Sequence, residues 1–179
     1  MRTFSVLLLL LPLSCATLDG AGLKGAVAVD GVPFFAQEAY QCGPAALATV
    51  MDYWHKKTGG GTWVTPEQIA ADIYSPSARG VLGLDLERYA RGHGFRTEQY
   101  EGGIDDLRKK IDEGVPLIVF VDYGFSLYQV NHFMVVKGYG EGRVIVNSGK
   151  RENQAISEGA LEKAWKKNRY WTLVLRPRS

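Results

Sequence analysis

The sequence predicts an α+β domain in which helices fill the first half and strands the second. Three observations carry this. Apolar residues recur at helical spacing through Leu47, Val50, Met51 and Trp54, and again at Leu107 and Ile111. Continuous apolar runs, Leu117 to Val121 and Phe133 to Val136, read as buried strands. Glycine and proline punctuate the chain at Gly59-Gly60-Gly61, at Gly114 with Pro116, and from Gly138 to Gly142. A helical lobe facing a largely antiparallel sheet follows from that segregation.

Taken in order, Val32-Pro33-Phe34-Phe35 is a short extended opening. Pro44, two residues after Cys42, suits the first turn of a helix that runs through Trp54 and breaks at the three glycines. Thr65-Pro66-Glu67-Gln68 combines an N-cap, a first-turn proline and a capping-box glutamine, and opens a helix to about Tyr74. A third helix covers about Leu84 to Gly92, and Phe95 to Tyr100 is a strand. Ile104 to Glu113 is an amphipathic helix ended by Gly114. Beyond the two apolar strands, a Gly-rich turn leads to Val144-Ile145-Val146. Ser157 caps a helix from about Glu158 to Lys167, and Tyr170 to Leu175 closes the chain as a strand.

With 179 residues, 46% of them apolar, the chain can bury one sizeable core and is too short for two comfortable domains. The net charge of +2 arises from 21 basic and 19 acidic residues spread along the chain. No block of like charge marks a nucleic-acid arm, so no nucleic-acid partner is expected. A monomer is expected, and nothing implies a metal or organic cofactor.

Residues 1–15 differ in kind. Arg2 gives a small positive region, Phe4 to Leu13 is apolar, and Ser14-Cys15 follows, which is an export signal too short for a membrane span. Leu13-Ser14-Cys15 resembles the end of a bacterial lipobox, in which Cys15 is lipidated, although Pro12 stands where an aliphatic residue is usual. Since Ala16 is not aspartate, resemblance to such lipoproteins implies an outer-membrane anchor facing the periplasm. The alternative is a cut after Ala16, which releases a soluble periplasmic protein. Residues 16–30, small and rich in Gly and Ala, read as a tether, and residues 31–179 as the domain.

Only Cys15 and Cys42 are present, so the mature domain carries one thiol in an oxidising compartment. At a helix start Cys42 feels the positive end of the helix dipole, which favours thiolate. Gly43 allows a second backbone or a substrate to approach closely. Burial as a structural cysteine is the rival explanation. A thiolate nucleophile needs a histidine from elsewhere in the chain. His132 stands at the mouth of an apolar strand, whereas His55 and His93 read as surface residues.

Gln37 with Gln41-Cys42-Gly43-Pro44-Ala45-Ala46-Leu47, and Asn131-His132-Phe133-Met134-Val135-Val136-Lys137-Gly138-Tyr139, resemble the C39 family of papain-like cysteine peptidases, the bacteriocin-processing or double-glycine peptidases. The resemblance runs from Val32 to Pro177 and is closest to stand-alone exported members. It implies a papain-like fold, with a helical lobe bearing the cysteine at a helix N-terminus against a C-terminal antiparallel sheet. It also implies a peptide or protein substrate cut by Cys42 as nucleophile and His132 as base and acid. Gln37 resembles the oxyanion glutamine, with Gln41 in reserve because transporter-fused members tend to have one more residue before the cysteine. Asn147 takes the orienting place, where many members carry aspartate, and Asp122 is the alternative. Tyr123, Phe125 and Tyr128 are candidates to line a substrate groove. The alternatives are an acyltransferase or amidase on the same site, and a degenerate domain that binds peptides or leaders without cutting them.

Overall fold

The computed structural model describes residues 23–37 and 41–178. Residues 1–22, which include the stretch read as an export signal, Cys15 and the start of the expected tether, lie outside the described residues. In chain order the elements are β1 (Val27–Ala28), α1 (Cys42–Thr58), α2 (Pro66–Ile73), α3 (Gly83–Gly92), β2 (Phe95–Glu101), α4 (Ile104–Asp112), β3 (Leu117–Asp122), β4 (Asn131–Gly140), β5 (Arg143–Ser148), β6 (Arg151–Ser157), α5 (Glu158–Lys166) and β7 (Trp171–Pro177).

Helix α1 is buried continuously from Gly43 to Trp54, as an α-helix with apolar residues on every side must be. It stops at Gly59, whose φ of 71° is left-handed and whose N–H returns to the His55 carbonyl. The expected capping box opens α2: the Gln68 N–H donates to Thr65 Oγ1 at 3.2 Å, and the Thr65 N–H donates to Gln68 Oε1 at 2.9 Å.

All strand pairings are antiparallel, in the order β2-β7-β3-β4-β5-β6, with β1 paired to β4. Strand β4 is the spine: it pairs with β3 from Asn131 to Val136 and with β1 at Gly138 and Tyr139. Leu47 and Met51 of α1 share one buried cluster with Val119, Met134 and Leu173 from three strands. The α+β architecture, with a helical lobe on an antiparallel sheet, is the one expected.

Three details differ from expectation. The tether ends early: Val27 and Ala28 join the sheet, the Val29 N–H donates to the Lys137 carbonyl at 2.7 Å, and Val29 is buried. Strand β6 carries the polar sequence Arg-Glu-Asn-Gln, which gives no strand signal because it forms the edge of the sheet and is mostly half-exposed. His55 is no surface residue. Its ring packs against Phe95 with centroids 5.3 Å apart, and its Nδ1 is buried.

Candidate active site

Helix α1 packs on β4, and this contact brings the first residue of one element to the start of the other. Cys42 opens α1 and is half-buried, with a free thiol. His132 is the second residue of β4. The two side chains line one cleft of about 590 Å³, together with Gln37, Arg79, Val81 and Phe133. Gly43 serves a purpose other than the expected approach of a backbone or substrate. A Cβ there would overlap the Val81 side chain and crowd the Phe133 ring, so glycine lets both close over the helix start.

The electrostatics correct one expectation. Backbone N–H groups of Phe133, Gly43 and Cys42 itself reach the sulfur and favour thiolate, yet burial outweighs them and pushes the Cys42 thiol up. Burial also holds the His132 imidazole below its usual value. Low dielectric disfavours charge on both, so burial favours a neutral thiol and a neutral imidazole over the dipole-stabilised thiolate expected from the helix position.

The partner of His132 is a second correction. Its Nε2 lies 2.9 Å from Ser148 Oγ. Asn147 is committed elsewhere: its Nδ2 donates to the Pro33 carbonyl at 3.1 Å, and its Oδ1 accepts from the Asn153 N–H at 3.0 Å. Neighbours on a strand point to opposite faces, and Asn147 shares the face of its pairing partner Val135, away from that of His132. Asn153 has a φ of 52°, inside an irregular stretch between β5 and β6, so Asn147 closes that irregularity and ties it to the opening segment. Asn147→Ala strands two backbone groups and should lower stability in urea unfolding by about 1–3 kcal/mol. Ser148→Ala should cost less, about 1 kcal/mol. The reverse order would mean that Asn147 is not the tie that holds this irregularity.

Asp122 is not an orienter either. Its Oδ1 accepts from the N–H groups of Gly124 at 2.7 Å and Val130 at 2.8 Å, which hold its carboxyl below the usual range. It closes the loop before His132. Gln37 lines the cleft and is 8% exposed, its backbone N–H donates to the Gly149 carbonyl, and its Oε1 is buried with no partner among the described residues. Gln41, the reserve, is the N-cap of α1 and makes no side-chain cap bond. Tyr123, Phe125 and Tyr128 do not line the cleft with Cys42. Arg79 and Val81 do, and nothing in their local sequence marks them; only the loop between α2 and α3 folding back, Ser75 bridged to Gly80, brings them there.

Residues 29–172 match the model of the Peptidase_C39 like family. No match was found among curated proteins. Among solved structures, the chain is similar to a candidate C39-like peptidase from Bacillus anthracis, at 17% identity and a TM-score of 0.71, covering 86% of this chain and 98% of that one. It is similar to a double glycine motif protease from an AMS/PCAT transporter, in complex with the leader peptide, at 24% identity and a TM-score of 0.66, covering 84% and 94%. The peptidase domain of Streptococcus ComA, a bi-functional ABC transporter of a quorum sensing pathway, gives 22% identity and a TM-score of 0.65, covering 82% and 99%. These likenesses establish the papain-like C39 fold, and the match across residues 29–172 establishes more: the chain belongs to the Peptidase_C39 like family.

Proposed function

We propose that this protein is a cysteine peptidase that cleaves peptide bonds through Cys42 and His132. The observation that carries the reading is the meeting of a helix-terminal thiol and a strand-end imidazole in one cleft. As Cys42 Sγ attacks the scissile carbonyl, its proton passes to His132 Nδ1, the nitrogen left free while Nε2–H donates to Ser148 Oγ. The oxyanion takes hydrogen bonds from the Gln37 amide and the Cys42 N–H. The imidazolium then protonates the departing amine, leaving a thioester. Water attacks that thioester with His132 as base, releases the acid and restores the thiol.

A peptide substrate accords with the leader peptide held by the double glycine motif protease. For location, the reading rests on residues 1–15 alone: export, with Cys15 lipidated and the domain facing the periplasm from the outer membrane, or soluble there after a cut behind Ala16. Among the described residues no helix is long and apolar enough to cross a membrane.

A second reading, peptide binding without cleavage, draws on one observation: the partner of His132 is a neutral hydroxyl, which gives an imidazolium little support. The test is incubation with a peptide library, read by mass spectrometry with and without iodoacetamide. Cleavage that iodoacetamide stops, with the alkyl group found on Cys42, is expected. Intact peptides retained equally by wild type and Cys42→Ala would mean a binding domain. Transfer to an added amine would mean an acyltransferase.

A further inference from the structure

The loop joining β3 to β4 displays its apolar residues outward. Phe125 is 88% exposed, Leu127 99% and Tyr128 75%. The loop is nonetheless built to shape. Asp122 and the Tyr123 N–H to Val130 carbonyl bond close its base, and the Tyr128 N–H donates to the Phe125 carbonyl across the tip. Ser126 takes a left-handed φ of 56°, and a Cβ on Gly124 would overlap the Tyr128 carbonyl oxygen. Backbone bonds alone thus hold the tip, and its large side chains pack on almost nothing. Such a surface on a monomer marks an interaction site.

Shape and charge choose the partner. Side chains this exposed project and wall no groove, so the loop is not itself a receiving surface for a peptide. A bilayer is deformable and closes around projecting side chains, with tyrosines settling at the headgroup level. The stretch Tyr123 to Val130 carries no charge, and the Asp122 carboxylate is turned into the loop. Beside it, Lys167 donates to the Gly124 carbonyl. Lys163 lies one turn earlier on the same face of α5. Between Glu162 and Arg169 four basic residues stand against one acidic, and among the described residues Lys163, Lys166 and Lys167 make no ion pair. An uncharged apolar tip flanked by unpaired lysines complements an anionic lipid surface.

We infer that the 123–130 loop is a membrane-contact tip, in which Phe125, Leu127 and Tyr128 enter the interface of an anionic bilayer while Lys163 and Lys167 meet the headgroups. The Tyr123 ring lies 6.4 Å from that of His132, so a seated tip holds the cleft at the lipid surface, whatever chemistry the cleft performs.

The experiment uses the full chain with Cys15→Ser and Cys42→Ser, bearing an environment-sensitive fluorophore at Leu127→Cys, titrated with vesicles of phosphatidylglycerol and phosphatidylethanolamine. The probe should shift to the blue and be quenched by lipid-borne nitroxides. Adding Phe125→Ser should raise the lipid needed for half the response about tenfold, and Lys163→Gln with Lys167→Gln should remove the preference over phosphatidylcholine. Circular dichroism and thermal unfolding confirm that each variant folds. A chain that binds vesicles through its N-terminal segment while the probe stays water-like would overturn the inference. A blue shift without lipid, driven by protein concentration or by added peptide, would overturn it too, in favour of a second copy or of substrate.

Discussion

Cys42→Ala and His132→Ala should each abolish peptide cleavage, by a factor on the order of 10⁶ if the pair works as a unit. Neither change should unfold the domain, because Cys42 sits at the rim of the core and His132 gives up only its bond to Ser148. The double variant should be no worse than either single one. The same chemistry fixes the pH dependence. His132 must be neutral to accept the thiol proton, and burial lowers its pKa, so the neutral form persists to more acid solution. The acid limb of kcat/KM should therefore fall below pH about 6.5, the ordinary histidine value. Burial raises the Cys42 pKa, so alkylation of the free protein should be slow at neutral pH and climb through the alkaline range. Fast alkylation on a plateau reaching below pH 6 would reveal a thiolate and imidazolium pair, and the neutral site described above would be wrong.

Gln37→Ala should lower kcat by about 10²–10³-fold with little change in KM, the usual consequence of removing one oxyanion donor. Its stability should barely change. The Gln37 Oε1 has no partner among the described residues, so truncation breaks no side-chain bond known to hold the fold. The amide Nε2–H of Gln37 is the group that can donate to a substrate oxyanion in the cleft. A kcat within threefold of wild type would remove Gln37 from the machinery; the Cys42 N–H would then be the remaining named donor.

What the sequence made legible follows from where its signals are strong. The capping box at Thr65, the glycine stop at Gly59 and the apolar run of β3 are local signals that mark their elements within a residue or so, while the run from Phe133 marks the middle of β4 and leaves out its polar ends. Cys42 and His132 were readable because their residue types are scarce and chemically particular. Their third partner was not. Composition placed a polar group at the end of β5, but choosing between Asn147 and Ser148 requires the register, and a slip of one residue moves a side chain to the other face. The polar edge strand β6 and the strand within the tether were hidden for a related reason: their pairing comes from neighbours far along the chain, not from their own pattern. Burial was the other blind spot. The helix position argues for thiolate, and only the packed structure shows how much water the sulfur has lost.

Phe133 follows His132 without a gap, and its N–H favours the thiolate form of Cys42. The imidazole and that N–H are thus mounted on consecutive links of one strand, which pairs with β3 at both positions. The start of α1 is packed against Val81 and the Phe133 ring at Gly43, where the missing Cβ sets the spacing. Reactivity should accordingly respond to that spacing as a single dial. A bulkier residue at position 43 would part the halves of the site while leaving every one of its functional groups in place.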